Sequence, residues 1–343
     1  MSLRVLRPAA LATVQDLGRP GRQHLGIGPG GAIDPVSHRI ANALVGNRDD
    51  AATLEIALSG PVLLFTRDAL CALYGARFAA SLDDTALPMA RPVHVRAGTP
   101  VHIGRAEDGC FAYLAVAGGL DVPVVLGSRS TYLPGEFGGW RGRALERDAV
   151  LPLAHDVEAL SAERFARASR RHRASGAGGE SARTVTWFAP ALTLSEHEVP
   201  VMRVLPGLHR DLFDEGSGKV FLRDVWRVAP DSNRIGFRLL GPKLALAEPT
   251  EILSQPTCRG TVQVPPDGQP IALMADHQTT GGYPKVAEVI SADIPRLAQR
   301  PPGASVRFAA ATLDQADAAR ETLGSQVEGL IERILWEFDD EGD

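Results

Sequence analysis

The sequence predicts a mainly β protein built from two β-rich barrels or sandwiches, and three observations support this fold class. Its 343 residues suit two domains better than one hydrophobic core. Glycine (35 residues) and proline (25 residues) are abundant while aromatic residues make up only 6%, which favours turns and short strands over long helices. The third observation is a faint internal repeat, in which Asp34 and Asp231 each begin a polar segment that ends in Arg-Ile and is followed by a Gly-Pro pair.

The N-terminal half is predicted to alternate short strands with glycine turns. A strand over 3–13 leads into a glycine-rich segment, after which Asp34 and the following proline open a helix with Asp34 as its N-cap. Two strand-like runs follow over 54–74. Alternating apolar and polar residues over 92–105 predict a hairpin, and residues 110–120 form an apolar strand that ends in paired glycines.

The C-terminal half repeats this texture and adds one long helix. Strand-like runs lie at 184–189 and 200–205, and a later Ser-Val-Arg-Phe-Ala-Ala run predicts one more strand after a short helix. Residues 313–338 form the one long amphipathic pattern, which should pack on a domain or on a partner. Its apolar stripe is Ala316, Leu323, Val327, Leu330, Ile331 and Ile334.

A change in composition at 161–183 predicts the domain boundaries. This segment is rich in Arg, Ala, Ser and Gly and has few large apolar residues, so it is interpreted as a mobile connection with a short basic helix at its start. Its arginines could contact an acidic partner, but a solvated linker is the favoured interpretation. The prediction is therefore an N-terminal β domain over 1–160, a linker over 161–183 and a C-terminal β domain with the long helix over 184–343.

Charge and cysteine usage exclude several classes of protein. A net charge of −5 gives no footprint for nucleic acid. The N-terminus lacks a signal-peptide core and no apolar run approaches a membrane span, so we expect no membrane association and a reducing cytoplasm. The three cysteines are isolated, which predicts neither a metal site nor a disulfide framework. Cys258 alone lies near the polar stretch described next, and a solvated or packed thiol is favoured there over a nucleophile.

The stretch 270–285, PIALMADHQTTGGYPK, has the densest group of polar side chains in the chain. An apolar run over 271–275 predicts a short buried strand that stops at Asp276. The eight residues from Asp276 include a carboxylate, an imidazole, an amide, two hydroxyls, two glycines and a phenol. Such a group could bind a small ligand through several hydrogen bonds. The alternative is a polar hairpin tip, since loops are polar by default.

Two other polar clusters contain arginine, and two nucleotide motifs fail. Arg129 lies between two serines in a glycine-bounded turn, which fits either a carboxylate or phosphate clamp or a solvated loop arginine. Residues 231–234 form a second polar group. The glycines at 26, 28 and 31 fit a dinucleotide fingerprint, but no βαβ unit surrounds them. A phosphate-binding loop at Gly218-Lys219 fails because Val220 replaces the required hydroxyl.

Several segments together resemble one known family, the allophanate hydrolase subunit 2 or biotin-dependent carboxyltransferase-like (KipA-like) family. The resemblance covers almost the whole chain in order, and the motifs QTTGGYP and SNRIGFRL are its most specific parts. It implies two cyclophilin-like β-barrel domains and a partner similar to allophanate hydrolase subunit 1 (KipI-like), with which the site is built jointly. The segments are TVQDLGRPG, GAIDPVSHRIANALVGN, GSRSTYLPGEFGG, DSNRIGFRLLGP and MADHQTTGGYPK.

The resemblance also implies a set of site residues. It implies that Arg129 and Arg234 hold a carboxylate or phosphate, and that the turn from Gln278 to Thr280 binds an amide or lactam. Asp276 is either a base or orienting group, or a cap of the turn. The implied catalytic residues are Asp276, Gln278, Thr280 and Tyr283. The implied substrate-binding residues are Gln15, Asp16, Arg19, Asp34, Arg129, Asn233, Arg234 and Thr279.

The family's activities give three functional hypotheses. The first is a subunit of an ATP-dependent 5-oxoprolinase, which hydrolyses the lactam of 5-oxoproline to glutamate, with ATP shared with or supplied through a partner and with a third subunit. The second is the carboxyltransferase component of a biotin-dependent urea or amide carboxylase. The third is a non-catalytic regulator that binds a kinase inhibitor. A peptidyl-prolyl isomerase is suggested by fold analogy alone and is disfavoured.

Some expected machinery is missing from the sequence. None of the three lysines is flanked by methionine, so no covalent biotin is expected on this chain. No biotin carboxylase region and no amidase signature are recognisable. We therefore expect a partner to contribute to any chemistry that involves ATP or carboxybiotin.

Overall fold

The computed structural model describes residues 2–82, 85–154, 156–170, 175–176, 181–194 and 199–339. The chain forms two compact units whose segments are interleaved in sequence. Unit 1 comprises Met1–Gly18, Asp34–Leu194 and Ser325–Asp343, and unit 2 comprises Arg19–Ile33 and Ser195–Gly324. Across the described part of the chain, no helix is both long and apolar enough to cross a lipid bilayer.

Unit 1 is an antiparallel β sheet with two helices packed against it. Over the described residues the sheet has eleven strands, with the order β10-β11-β7-β5-β8-β4-β1-β9 along its main path. Strand β3 pairs with β2 and β8, and β6 pairs with β5. The elements are β1 Ser2–Arg7, β2 Leu11–Gln15, α1 Pro35–Ala43, β3 Thr53–Ala57, β4 Val62–Phe65, β5 Ala69–Leu82, β6 Thr85–Ala86, β7 Val93–Val95, β8 Pro100–Val116, β9 Val150–Pro152, α2 Val157–Ala168, β10 Ser175–Gly176 and β11 Ala182–Thr184.

Two details of unit 1 differ from the sequence-based expectation. The single strand predicted over 3–13 is two strands, β1 and β2, which pair with different neighbours. The hairpin predicted from residue 92 is also wrong, because β7 and β8 do not pair with each other and instead lie on opposite sides of β5. The alternating pattern identified both strands, but β5 is long enough to separate them.

The start of α1 confirms the predicted N-cap. Asp34 Oδ1 accepts from the backbone N–H of Ser37 at 3.0 Å, and Oδ2 accepts from Ser37 Oγ at 2.7 Å. Pro35 occupies the first helical turn, where its missing N–H costs nothing. The backbone N–H of Asp34 donates to Tyr113 Oη at 2.8 Å. The cap and this bond fix the entry of the helix into the core.

Replacing Asp34 with Ala should lower the free energy of unfolding by about 1–2 kcal/mol, since the cap bonds to Ser37 are lost. Asp34→Asn, which keeps one acceptor for the Ser37 N–H, should lose less. Chemical denaturation of the full-length chain measures both. Equal losses for Ala and Asn would contradict the capping role.

The region predicted as a linker belongs to unit 1. Helix α2 buries Val157, Ser161, Phe165 and Ala168, and β11 pairs with β7. Trp187 Nε1 donates to the carbonyl of Ala168 at 3.1 Å. The predicted boundaries 1–160, 161–183 and 184–343 therefore differ from the two units. The helix at the start of the segment was expected, but its packed face was not, and residues 171–174 and 177–180 lie outside the described part.

Unit 2 contains a closed β barrel. Within the described residues its seven strands follow the order β12-β19-β16-β17-β14-β13-β20, and the parallel pairing of β20 with β12 closes it. Strands β15 and β18 form a separate pair. The elements are β12 Val201–Pro206, α3 Glu215–Arg223, β13 Trp226–Val228, β14 Gly236–Leu240, β15 Gln255–Pro256, β16 Thr261–Gln263, β17 Ile271–Leu273, β18 Thr280–Gly281, β19 Lys285–Val289, α4 Ile294–Ala298, β20 Ser305–Ala310 and α5 Leu313–Trp336.

The long C-terminal helix α5 confirms the amphipathic prediction, but it was assigned to one domain only. Its first half belongs to unit 2, and from Ser325 onward it belongs to unit 1. In unit 1 its buried residues are joined by an edge contact between Trp187 and Phe338 at 6.3 Å, and by the bond from Arg39 Nη2 to Glu328 Oε1 at 2.6 Å. The buried members of the predicted stripe are Val327, Leu330, Ile331 and Ile334. The mainly β fold class with short helices and one C-terminal helix is thus confirmed.

Candidate functional site

The polar stretch after β17 is more than a hairpin tip. Strands β17 and β19, which flank it, do not pair with each other, because β16 lies between them in the barrel. The segment between them instead pairs, through β18, with β15. The backbone N–H of Thr257 donates to the carbonyl of Thr279 at 3.0 Å, and Thr257 Oγ1 donates to the carbonyl of Gln278. The stretch is therefore held in one conformation from its outer side.

Arg234 and Asp276 form a buried, bidentate ion pair. Arg234 Nε donates to Asp276 Oδ2 at 2.8 Å, and Nη2 donates to Oδ1 at 2.9 Å. The two side chains are 2% and 1% exposed. Arg234 Nη2 also donates to the carbonyl of Gly31 at 2.7 Å. Both carboxylate oxygens and the fork of the guanidinium are thus occupied by protein groups.

This arrangement corrects the role expected for Arg234. A guanidinium that already binds a carboxylate in bidentate fashion has no open fork for a ligand carboxylate or phosphate. Its position instead holds the glycine-rich segment of unit 2, together with Arg259, whose Nη2 donates to the carbonyls of Ala32 and Ile33 at 2.9 and 2.6 Å. Gly31 has a φ of 81°, which favours glycine there. Asp276 is likewise bound to Arg234, which favours the orienting alternative over the base.

The neighbouring His277 is a neutral structural ring. It is 1% exposed, and its Nδ1 lies 2.7 Å from the carbonyl oxygen of Gln278. Burial lowers the pKa of His277, with Arg259 adding to the effect. Because a carbonyl can only accept, we assign the proton to Nδ1. The imidazole thus orients the backbone of the polar stretch.

A cavity of about 370 Å³ lies in unit 2 beside the polar stretch. Its volume falls within the range of small-molecule sites. Arg238 and Gln263 are both register partners of Ile271, so the three side chains share one face of the barrel sheet. Phe237 and Val262 point the other way, into the core. The cavity is lined by Asn233, Ile235, Gly236, Arg238, Gln263, Ile271, Leu273, Gln278 and Tyr283.

Two amides meet in this cavity. Gln278 Nε2 donates to Gln263 Oε1 at 3.0 Å. Gln263 is 2% exposed, whereas Gln278 is exposed. Gly281 lies against this pair, since a Cβ added there would stand 2.6 Å from Gln263 Nε2. Glycine at this position therefore leaves the room that the two amides need.

The rim of the cavity has one charge and two further polar groups. Arg238 is the only charged side chain among the lining residues, and its Nε lies 3.1 Å from Asp231 Oδ2 in an exposed ion pair. Asn233 is exposed, and its Oδ1 accepts from the backbone N–H of Ile235 at 2.8 Å. Tyr283 is 46% exposed. The site thus combines neutral amides at depth with a positive charge at the rim.

Tyr283 also borders a larger cavity of about 700 Å³ in unit 2. Its lining is mostly apolar and proline-rich, with Phe213, Leu246 and Val264 among its residues. It offers surface for packing but few groups that would orient a small polar ligand. The smaller cavity is therefore the better candidate for a site that recognises hydrogen-bonding groups.

Asp16 in unit 1 organises the turn that contains Arg129. Its Oδ1 accepts from Ser128 Oγ and Ser130 Oγ, both at 2.6 Å, and from the N–H of Gly18 at 2.7 Å. Its Oδ2 accepts from the backbone N–H of Arg129 at 2.5 Å. With four donors on one buried carboxylate, Asp16 acts as a structural anchor of the turn, which differs from the expected contact with substrate.

Arg129 itself remains accessible. Its side chain is 38% exposed, and Nη2 lies 3.3 Å from Asp121 Oδ1. It borders a cavity of about 320 Å³ in unit 1, together with the paired glycines Gly118 and Gly119 and with Asp121. The anion-clamp interpretation of Arg129 stays a prediction, since Asp121 already occupies one side of the guanidinium.

The other residues expected at the site divide between the two units. Gln15 is fully buried in unit 1, where Nε2 donates to Thr13 Oγ1 at 3.0 Å, and Asp34 caps α1. Arg19 is 1% exposed, and Thr280 pairs with Pro256 in the β15–β18 ladder. Of the predicted residues, the cavity of about 370 Å³ brings together Asn233, Gln278 and Tyr283. It does not include Asp276, Thr279, Thr280 or Arg234.

Sequence reasoning missed Gln263 and Arg238. Gln263 stands in an apolar run, TVQV, where a lone amide is a detectable exception to the pattern. Arg238 is the polar position of an alternating strand, GFRLL, which signals the outer face of the sheet. Neither signal shows which strands are neighbours, and the register of β14, β17 and β16 is what joins them.

Cys258 lacks the setting of a nucleophile. Its Sγ lies 3.4 Å from Glu288 Oε2 and 3.3 Å from Thr261 Oγ1. Burial, with a contribution from Glu288, raises the pKa of its thiol. A protonated thiol is a poor nucleophile. Within the described residues, no three His, Cys, Asp or Glu side chains lie close enough together to hold a metal ion.

Comparison with known proteins confirms the family resemblance. The chain is 37% identical over 339 residues to the C-type subunit of 5-oxoprolinase from Escherichia coli (strain K12), covering 99% of both chains. It is 36% identical to the C-type subunit of 5-oxoprolinase from Haemophilus influenzae, covering 91% of this chain and 92% of that one. It also resembles the urea amidolyase of Lachancea kluyveri, at 32% identity over 95% of this chain and 18% of that protein.

Among solved structures, the urea carboxylase of Kluyveromyces lactis is similar with a TM-score of 0.84 and 31% identity, over 99% of this chain and 30% of that chain. The K. lactis urea amidolyase gives the same TM-score over 96% of this chain and 20% of that chain. Residues 25–310 match the family described as carboxyltransferase domain, subdomains A and B. The protein therefore belongs to the carboxyltransferase domain family, subdomains A and B.

Proposed function

We propose that this chain is the C-type subunit of an ATP-dependent 5-oxoprolinase, which opens the lactam ring of 5-oxoproline to give glutamate. The two bacterial relatives of this name support the proposal, because each matches this chain along nearly its full length. The chain would act as part of a complex with a subunit similar to allophanate hydrolase subunit 1 and with a third oxoprolinase subunit. Hydrolysis would then depend on groups from more than one chain.

The observation that supports this substrate most directly is the donor set of the cavity of about 370 Å³. 5-Oxoproline has a neutral lactam and, on the adjacent carbon, a carboxylate. Gln263 and Gln278 offer amide groups that suit the lactam, and Arg238 offers the positive charge that suits the carboxylate. No Asp or Glu stands among the lining residues to repel the carboxylate.

ATP would be bound mainly outside this cavity. A triphosphate is recognised by several cations or by a run of backbone N–H groups. The cavity instead has one arginine and three side-chain amides, a set that does not fit a triphosphate. ATP would activate the lactam carbonyl, which is a poor electrophile, and we propose that it is supplied through the partner.

A biotin-dependent carboxyltransferase of urea or a similar amide is the second candidate. It is favoured by the TM-score of 0.84 to the K. lactis urea carboxylase. The two glutamine amides would suit urea as well as a lactam, but Arg238 would have no anionic group to bind in neutral urea. The substrate charge therefore separates the two candidates.

Replacing Arg238 with Ala should raise the KM for 5-oxoproline about tenfold, since a charge-assisted contact at an exposed rim is lost. The assay is 5-oxoproline-dependent ATP hydrolysis and glutamate release by the chain co-expressed with its two partner subunits. Arg227→Ala, which removes an exposed arginine of neighbouring β13, is the matched control and should leave KM unchanged.

The proposed function fails if the assembled complex hydrolyses no ATP in response to 5-oxoproline. Carboxylation of urea that requires a biotinylated protein would establish the second candidate instead. An unchanged KM in Arg238→Ala, in a complex that is active, would contradict the assignment of the carboxylate to Arg238 while leaving the activity itself in place.

A further inference from the structure

One buried donor in the cavity has no partner within the protein. Among the described residues, Gln263 Nε2 makes no hydrogen bond although the residue is 2% exposed. A buried donor without an acceptor is costly, and such groups in folded proteins call for an explanation. Gln263 also lines the cavity of about 370 Å³, so the unpaired N–H is open to a bound ligand.

The backbone and the neighbouring amide fix the direction of this donor. The pairing of β16 with β19 changes register between Val262 and Gln263, and irregularities of this kind re-aim a side chain next to many active sites. Gln278 Nε2 donates to Gln263 Oε1 at 3.0 Å, which commits the oxygen of Gln263 to the protein. The Nε2 end is therefore the one left for a ligand, and it can only donate.

We propose that Gln263 is a substrate-binding residue whose Nε2–H donates to the carbonyl oxygen of the bound amide. The choice of a lactam as that amide rests on the proposed function, whereas the match between one buried donor and one carbonyl acceptor does not. The bond replaces an unsatisfied donor with a satisfied one, so it favours ligands with a carbonyl oxygen at this position. A cyclic amine without the carbonyl leaves the donor unpaired.

The same bond polarises the carbonyl. A donor aimed at a lactam oxygen withdraws electron density from the carbonyl carbon, and it helps to hold that oxygen in one place for attack or for activation. Gln263 then determines specificity at the end of the ligand opposite the Arg238 contact. A ligand with both a carbonyl oxygen and a carboxylate uses both ends of the cavity.

Gln263→Glu tests this assignment with little change in shape. The carboxylate still accepts the bond from Gln278 but replaces the donor with an acceptor that repels a carbonyl oxygen. We expect the affinity of the full-length chain for 5-oxoproline, for 2-pyrrolidinone and for urea to fall at least tenfold, as measured by ligand-observed NMR. Pyrrolidine, which lacks the carbonyl, should bind weakly to both forms.

Two further variants guard against a purely structural effect. Gln315→Glu makes the same substitution where the oxygen accepts the N–H of Thr312 and should change none of these affinities. Gln263→Met removes donor and acceptor without adding charge, and it should weaken binding while melting near the wild-type temperature. In the assembled complex, both Gln263 variants should raise the KM for 5-oxoproline.

The outcomes separate this inference from the proposed function. Binding of urea and 2-pyrrolidinone that is lost in Gln263→Glu, in a complex inactive on 5-oxoproline, would support the role of Gln263 and reject the oxoprolinase. An active complex in which Gln263→Glu and Gln263→Met keep the wild-type KM would reject the role of Gln263 and keep the oxoprolinase. Unchanged affinity of both variants for all three carbonyl probes would overturn the inference outright.

Discussion

Breaking the buried ion pair between Arg234 and Asp276 is expected to lower the free energy of unfolding by about 3–5 kcal/mol. Arg234→Met leaves the carboxylate of Asp276 buried without its counter-charge, and Asp276→Leu does the same to the guanidinium. Both side chains are almost fully enclosed, so water cannot replace the lost partner. Urea denaturation of the full-length chain measures the loss for each variant.

The double variant Arg234→Met with Asp276→Leu should recover most of that stability. The large cost in each single variant comes from the charge left unpaired, and the pair itself adds little over well-packed apolar side chains. Asp231→Asn is the matched control, because it breaks an exposed Arg–Asp pair in the same unit and should cost less than about 1 kcal/mol. Single variants that lose no more than this control would show that the buried pair is not what holds the segment.

The double variant also tests the predicted catalytic role of Asp276. A side chain that serves only to orient the polar stretch can be replaced when stability is restored, whereas a base cannot. If the double variant folds like the wild type and the assembled complex retains 5-oxoproline-dependent ATP hydrolysis, Asp276 acts by orienting the polar stretch. If stability returns and hydrolysis does not, the carboxylate takes part in the chemistry.

The two arginines of the RIGFR segment show where sequence-based prediction ends. Arg234 and Arg238 are four residues apart, and both belong to the polar group that the sequence singled out. Arg234 is buried on Asp276, a residue 42 positions away in sequence, while Arg238 is exposed at the rim of the cavity. Which arginine faces a ligand depends on strand register, and no local pattern encodes that register.

Local features were predicted well because their causes lie within a few residues. The cap of α1 needs only Asp34 and Ser37, and the amphipathic period of α5 is visible along the helix itself. The division into units was not predicted, because Arg19–Ile33 joins unit 2 through distant partners such as the carbonyl of Ala275, which accepts from the N–H of Gly30 at 3.2 Å. Composition alone suggested a linker in a region that the sheet of unit 1 includes.

Acid should destabilise unit 1 through one buried histidine. His38 is fully enclosed, and burial lowers its pKa from 6.5 to about 4. Its Nε2 lies 3.0 Å from the carbonyl oxygen of Asp49, and its Nδ1 lies 2.9 Å from Thr53 Oγ1. Since the carbonyl of Asp49 can only accept, we assign the neutral tautomer with the proton on Nε2, and Thr53 donates to Nδ1.

Between pH 6.5 and about 4 the unfolded chain binds a proton at His38 that the folded protein does not bind, so lowering the pH favours unfolding. Above this window both states are neutral, and below it both are protonated. The full separation of the two pKa values corresponds to about 3 kcal/mol of stability, lost progressively as the pH falls through the window. His38→Gln, which keeps a donor near Asp49 but does not titrate, should therefore lose about 3 kcal/mol less than the wild type between pH 7 and pH 4. His102→Gln, at an exposed position of β8, is the control and should follow the wild-type curve. Parallel curves for His38→Gln and the wild type, from urea denaturation at steps of pH, would mean that the protonated ring is accommodated in the fold.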